Sequence, residues 1–279
     1  MIVTDVCSPS KRADALGKLG ISYGVGMVVG PMIGGLVSRL FSIEKAALVA
    51  CILSVISISI TFFYVPSSVK KSVAAQDNNI FSPGKILRLL RAPGALFLLI
   101  IKMGTGVPMG IFQSMFGVVA LERFQLPPHQ NSYVMSYVGV MAMMVQGVGI
   151  GYVTKTFDEN RILAGSAVSL MLGYFLITFA SSIWHMCVVF VPLIVGLTFQ
   201  NVVTTSALTR TVPQADTGAM LGLSMAVNSL IRSVSPTVGG YMLTRFGFES
   251  FGYLGFVASA LVAMVLVYKR RKEEARVKP

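Results

Sequence analysis

Two charges sit where an apolar environment penalises them most. Lys102 and Arg232 lie inside long apolar stretches, whereas all 11 acidic residues fall outside such stretches. A charge within an apolar span costs several kcal/mol unless it faces a cavity or a partner. Two readings follow. Both residues face a water-filled cavity and meet a solute, carbonyls or carboxylates; or Lys102 snorkels to the nearer surface and Arg232 makes a structural pair. The uncharged polar and aromatic groups in the same stretches are Gln113, Gln146, Gln200, Asn201, Asn228, Tyr137 and Phe199. Their amides and rings can contact a solute, or they can tie one helix to another. His129 and His185 fall at loop ends, so no titratable His or carboxylate stands within a span. Enzyme chemistry finds no support. No Ser-His-Asp set has usable spacing, and Cys7, Cys51 and Cys187 lack the spacing of metal ligands. Gly147-Val-Gly149-Ile-Gly151 has no strand before it and is not a dinucleotide loop. No cofactor, metal or nucleic-acid partner is expected.

The elements that position these residues follow from composition. Of 279 residues, 54% are hydrophobic and 12% charged, with a mean hydropathy of +0.74. A soluble domain carries about 25% charged residues, so an ordinary soluble enzyme and a disordered chain are both excluded. A spanning helix needs about 20 apolar residues. Such spans are predicted at 16–38, 46–65, 94–120, 132–153, 162–183, 186–208, 218–243 and 251–268. The fold class is therefore an all-α membrane protein. Most of the 23 Lys and Arg fall on one side of alternating spans, which predicts that both termini are cytoplasmic. No cleavable signal peptide is expected at the start of the chain. Asp216 suits an N-cap at the start of the 218–243 helix.

Organisation is expected as follows. Residues 1–65 carry two helices of an N-terminal bundle. Residues 66–93 form a basic cytoplasmic linker with a short amphipathic piece near Lys85–Arg91, residues 94–268 a six-helix bundle, and 269–279 a basic tail. Sliding the chain by 205 residues aligns two span pairs without a gap: Pro31 falls on Pro236, Gly34-Gly35 on Gly239-Gly240, and Glu44 on Glu249. This is a parallel internal repeat. If the halves are duplicates, the two spans before the linker are the fifth and sixth of their half. Four spans then stand outside this chain, which is expected to be about two thirds of a larger protein.

Gly26-Met-Val-Val-Gly30-Pro31-Met-Ile-Gly34-Gly35 fits a G-x-x-x-G-P-x-x-G-G pattern. With two six-span repeats and a basic central loop, the chain resembles the major facilitator superfamily and its antiporters. Within it, the chain is similar to the organic-cation-transporter-like solute carriers at Met1–Asp5, Leu19–Gly26, Asn201–Thr204, Asp216–Gly218, Met220–Gly222 and Pro236–Gly240. The resemblance implies a polyspecific plasma-membrane transporter of organic cations and drug-like molecules, working by alternating access with protons as the coupling ion. The coupling carboxylate is then expected in the four absent spans, and the short chain alone should carry no flux. A non-transporting membrane protein with a regulatory or partner-binding role is the alternative. One departure stands out. In Gly151-Tyr-Val-Thr-Lys155, Lys155 occupies the place where the superfamily's loop motif has Asp. Small residues at four-residue spacing, here Gly26, Gly30 and Gly34, predict a close helix seam. The repeat copy keeps Pro236, Gly239 and Gly240 but has Ser235 and Ile231 in place of two glycines.

Overall fold

The structure, a computed structural model, describes residues 12–64, 83–213 and 216–277. The N-terminal resemblance at Met1–Asp5, Cys7, most of the linker and the side chains of the tail beyond Lys269 lie outside the described residues. The helices are α1 (Arg12–Leu40), α2 (Ile43–Tyr64), α3 (Pro83–Leu90), α4 (Ala95–Glu122) and α5 (Pro128–Met144). A π-helical turn, Val145–Gly149, leads into α6 (Ile150–Thr156). Then follow α7 (Glu159–Ile177), α8 (Ile183–Arg210), α9 (Thr217–Phe246) and α10 (Glu249–Val277). Among the described residues there is no strand. In a bilayer that is a requirement, because only a helix satisfies its backbone bonds within one segment.

Among the described residues, six helices are long and apolar enough to cross a membrane: Ile43–Tyr64, Ala95–Glu122, Pro128–Thr156, Glu159–Ile177, Ile183–Arg210 and Glu249–Lys269. Gly24–Leu40 is a shorter apolar helix. The long helix α9 is not among these, because Asn228, Arg232 and several serines dilute its apolar character. The predicted spans are helical over most of their described length, but 162–183 runs too far: the helix stops at Ile177, and 178–182 form the turn into α8. Prolines 31, 108, 192 and 236 all sit inside helices. In membrane helices neighbouring groups absorb the freed backbone bonds.

The described helices fall into two compact units. In one, α1 packs on α2, and α5 packs on α1 up to Met143. No residue of α2 is buried, and Phe62, Phe63 and Tyr64 are strongly exposed. A helix that is apolar all round suits a lipid environment. The other unit holds α3, α4, the π turn and α6–α10. Its tightest pairs are α7 with α8 and α7 with α10, while α4 lies against α9 and α10.

That second unit has a core of large side chains set against small ones. Phe112, Phe116 and Phe190 join α4 to α8 with ring centroids 5.2–6.0 Å apart. Tyr174 of α7 is fully buried against Gly252 and Gly255 of α10. A Cβ built on Gly255 would stand 2.2 Å from the Tyr174 ring. Only glycine lets these two backbones approach so closely.

The connections carry their own signals. Gly94 has φ 83° and turns the chain into α4, and Gly247 has φ 75° between α9 and α10. Both conformations favour glycine. Ser182 caps α8, its hydroxyl oxygen accepting the His185 N–H at 3.3 Å. Beside it, Trp184 is exposed at the start of α8, where an aromatic belt is expected in a membrane protein. Asp216 holds the N-cap position of α9, but its backbone is helical (φ −96°, ψ −2°) and its side chain makes no capping hydrogen bond. The expected position is thus met without the expected side-chain bond. The Asp216 N–H turns back to the Pro213 carbonyl at 2.9 Å. Its charge still lies near the positive helix end.

Gly255→Ala should lower the thermal unfolding midpoint in detergent, corresponding to about 1–3 kcal/mol of overpacking. Gly147→Ala, where an added Cβ meets nothing within 4 Å, should leave the midpoint unchanged or higher.

Candidate functional site

The polar residues singled out from the sequence separate into two sets. One set is exposed at mid-helix. Asn228 and Arg232 are one turn apart on α9, and both are exposed, as are Met225, Ser229 and Pro236 on the same face. Gln113 of α4, Gln146 of the π turn and Asn201 of α8 are also exposed. Among the described residues, Arg232 has no acidic partner and no hydrogen-bond acceptor. The structural pair considered for it is therefore not formed there. An arginine and several amides on the surface of a spanning bundle are incompatible with hydrocarbon contact. This face of α9 must look onto water or protein.

The second set is inside the bundle. Lys102 is 5% exposed on α4, set between Ile101 and the buried Thr105. It does not snorkel to a surface, and it does not line the exposed face. The Thr105 hydroxyl donates to the Ile101 carbonyl at 3.0 Å. Gln200 of α8 is 2% exposed, and its Oε1 accepts a hydrogen bond from the Ser166 hydroxyl of α7. Gln200 Nε2 and the hydroxyls of Thr204, Ser259 and Tyr174 are buried without a partner. Neighbouring residues on α8 thus have opposite fates. Gln200 turns into the bundle and Asn201 turns out of it. Phe199, one residue earlier, packs 3.6 Å from the Cβ position of Gly149 in the π turn.

A cavity of about 390 Å³ opens between α6, α7 and α8, lined by Phe157, Arg161, Ser166, Ser169, Val195 and Phe199 among others. Its wall is mainly apolar. The Ser169 hydroxyl donates to the Pro192 carbonyl at 2.8 Å, and Arg161 Nε lies 3.7 Å from Asp158. Tyr137, in the other unit, is half-buried on α5.

The glycine motif is placed less simply than its spacing suggests. A Cβ on Gly26, Gly30 or Gly34 would meet nothing within 4 Å. The close approach lies elsewhere on α1, at Gly35, where a Cβ would stand 2.5 Å from Ser132 Cβ of α5. The same seam includes Ser136, whose hydroxyl donates to the Val28 carbonyl at 3.1 Å, and Gly139, packed on the Met27 backbone. Pro31 is half-buried beside it. In the repeat copy the pattern differs. Ile231, Ser235 and Gly239 are buried against α4, while Pro236 is exposed and Gly240 has open space.

The family model described as Major Facilitator Superfamily matches residues 1–200 and 109–279. The chain belongs to the major facilitator superfamily. Among curated relatives it is similar to solute carrier family 22 member 18 of Mus musculus, 34% identical over 99% of this chain and 70% of the relative. It is 32% identical to solute carrier family 67 member A1 of Homo sapiens, over 99% of this chain and 68% of that protein. It is also 23% identical to tetracycline resistance protein, class D, of Salmonella ordonez, over 95% of this chain and 66% of that protein. The chain thus spans about two thirds of the length of these relatives. Superfamily membership and the apolar helices make it a multi-pass membrane protein of a transporter family.

Sequence reasoning missed the Ser166–Gln200 bond, since a lone serine in an apolar helix carries no directional signal. It also missed the π turn, although the three glycines at 147, 149 and 151 mark a helix open to distortion. Ser166→Ala should leave Gln200 with both ends unpaired and cost about 1–3 kcal/mol. Adding Gln200→Leu should recover most of that loss. A double-mutant cycle by thermal unfolding measures the coupling.

Proposed function

We propose that this chain forms the larger part of an alternating-access carrier that exchanges drug-like organic solutes, organic cations above all, for protons at the plasma membrane. The observation that carries the reading is the exposed mid-span face of α9, with Asn228 and Arg232 and no acid beside them. In a carrier, such a face borders the pathway near the bilayer midplane, where the two halves of a repeat meet. Names of relatives support the solute class: the chain is similar to proteins named for tetracycline resistance and for multidrug resistance.

The roles divide by chemistry. The amides of Gln113, Gln146, Asn201 and Asn228 donate and accept, so they suit varied solutes without demanding one charge. Arg232 brings a guanidinium group. It acts as a fixed positive charge that a carboxylate pairs with in one state and leaves in the other. The freed carboxylate then takes a proton or a cationic solute. All described acids lie at helix ends, so that carboxylate belongs to the spans implied by the internal repeat and outside this chain. The α1–α5 seam at Gly35, Ser136 and Gly139 is a packed surface that can shift as a unit when the carrier changes state.

The test is ethidium flux in proteoliposomes under a pH gradient. It uses the chain as it is, and the chain extended at its N-terminus by the first four spans of a relative. The extended protein should move ethidium only while the gradient lasts, and the short chain should move none. Arg232→Ala in the extended protein should lower the rate about tenfold or more, equivalent to about 1.4 kcal/mol, with unchanged membrane abundance. No gradient-linked flux in either preparation, or a rate indifferent to Arg232, sinks the proposal.

A further inference from the structure

The short helix α3 is built for an interface. Its sequence, PGKILRLL, buries Leu89 at 4% exposure in the core, with Leu90 packed alongside. Leu87 is 48% exposed on the outer side. Arg88 is exposed next to it, and Arg91 follows in the turn that leads through Gly94 into α4. These two arginines are three residues apart, and the Arg91 N–H still donates to the Leu87 carbonyl at 3.0 Å, so the helical turn holds them on one side.

Both arginines line a cavity of about 450 Å³, whose far wall is the turn between α8 and α9 at Thr211, Val212, Pro213 and Asp216. Neither arginine has an ion pair among the described residues. Asp216 brings one carboxylate to the far wall, so the cavity keeps an excess of positive charge. The same end of the bundle carries Lys269, whose Nζ lies 4.6 Å from the centre of the Phe97 ring. Two further cations of this end have acids beside them. Arg210 pairs with Glu159 at 2.7 Å, and Arg161 lies near Asp158. Of the described cations at this end, Arg88 and Arg91 are the two that line the cavity.

We propose that this cavity holds the headgroup of an anionic phospholipid, with Arg88 and Arg91 gripping its phosphate and Leu87 lying among its first acyl carbons. Guanidinium groups bind phosphate through paired, charge-assisted hydrogen bonds. The cavity has the size of a small-molecule site. An inorganic phosphate would satisfy the arginines but leave Leu87 and Val212 against water. A lipid satisfies both. An amphipathic helix beside a spanning helix, basic on one side and apolar on the other, is where such a lipid is encountered.

The experiment uses the full chain in nanodiscs of phosphatidylcholine with a minor fraction of phosphatidylglycerol, and counts retained lipid by native mass spectrometry. The wild-type chain should retain one phosphatidylglycerol in preference to phosphatidylcholine. Arg88→Gln with Arg91→Gln should lower that retention about tenfold or more, since each basic residue at an anionic surface contributes about 1 kcal/mol. Each single substitution should give a partial loss, which keeps the test decisive if the double variant folds poorly. Lys155→Gln, exposed on α6 and outside the cavity, should retain the lipid as wild type does. Equal retention by the arginine variants overturns the proposal. So does an equal loss with Lys155→Gln, which would mean diffuse attraction. Displacement of the lipid by millimolar inorganic phosphate would assign the site to a free anion instead, and would overturn it too.

Discussion

Inside a bilayer no water is available to complete a backbone hydrogen bond or to solvate a charge. Nearly every feature of this chain answers that constraint. It makes the described secondary structure helical, sends the acidic residues to helix ends, and leaves α2 with no buried residue because lipid is a good enough neighbour for it. It also removes the hydrophobic drive for helices to associate. Cohesion must then come from shape. Tyr174 against Gly252 and Gly255, and Gly35 against Ser132, are contacts of that kind, in which a missing side chain lets a bulky one or a backbone in.

Where polar groups enter the spans, the same constraint sorts them. Ser166 and Gln200 satisfy each other inside the bundle, while Asn228 and Arg232 have no such partner and face outward. Charge at the bundle ends is arranged differently. Arg123 bonds Glu249 at 2.7 Å and lies 4.7 Å from the centre of the Phe248 ring, tying α4 to the start of α10. Arg210 in the last turn of α8 and Glu159 in the first turn of α7 tie those two helices together. These contacts are exposed, and exposed pairs contribute little to stability. Their value is in fixing which helix end meets which.

The helices were legible because span length and hydropathy are properties of a segment alone. Helix α9 shows the limit. Its polar middle weakens the apolar signal, and the internal repeat was what marked it as a counterpart of α1. The site was legible only in part. Side-chain type says that Lys102 and Arg232 are unusual, but not that one turns into the bundle and the other out. That depends on where a residue falls around its helix relative to a neighbour, which a single sequence does not record. The glycine motif was legible in the same partial way. Of its glycines, Gly35 meets Ser132 of α5, while an added Cβ on Gly26, Gly30 or Gly34 would meet nothing within 4 Å. Lone small residues such as Ser132 and Ser136, which complete the seam, look like any other serine.

The single tryptophan of the chain has a use that follows from its position. Trp184 is 79% exposed, one residue into α8 and next to the Ser182 cap. It is therefore the only indole chromophore and sits at one defined height along the bundle. Its emission reports the polarity at that height without any chemical label, and brominated lipids of graded depth would quench it according to how far that helix end stands from the hydrocarbon. The chain thus carries its own optical ruler for placing the rest of its helices in the bilayer.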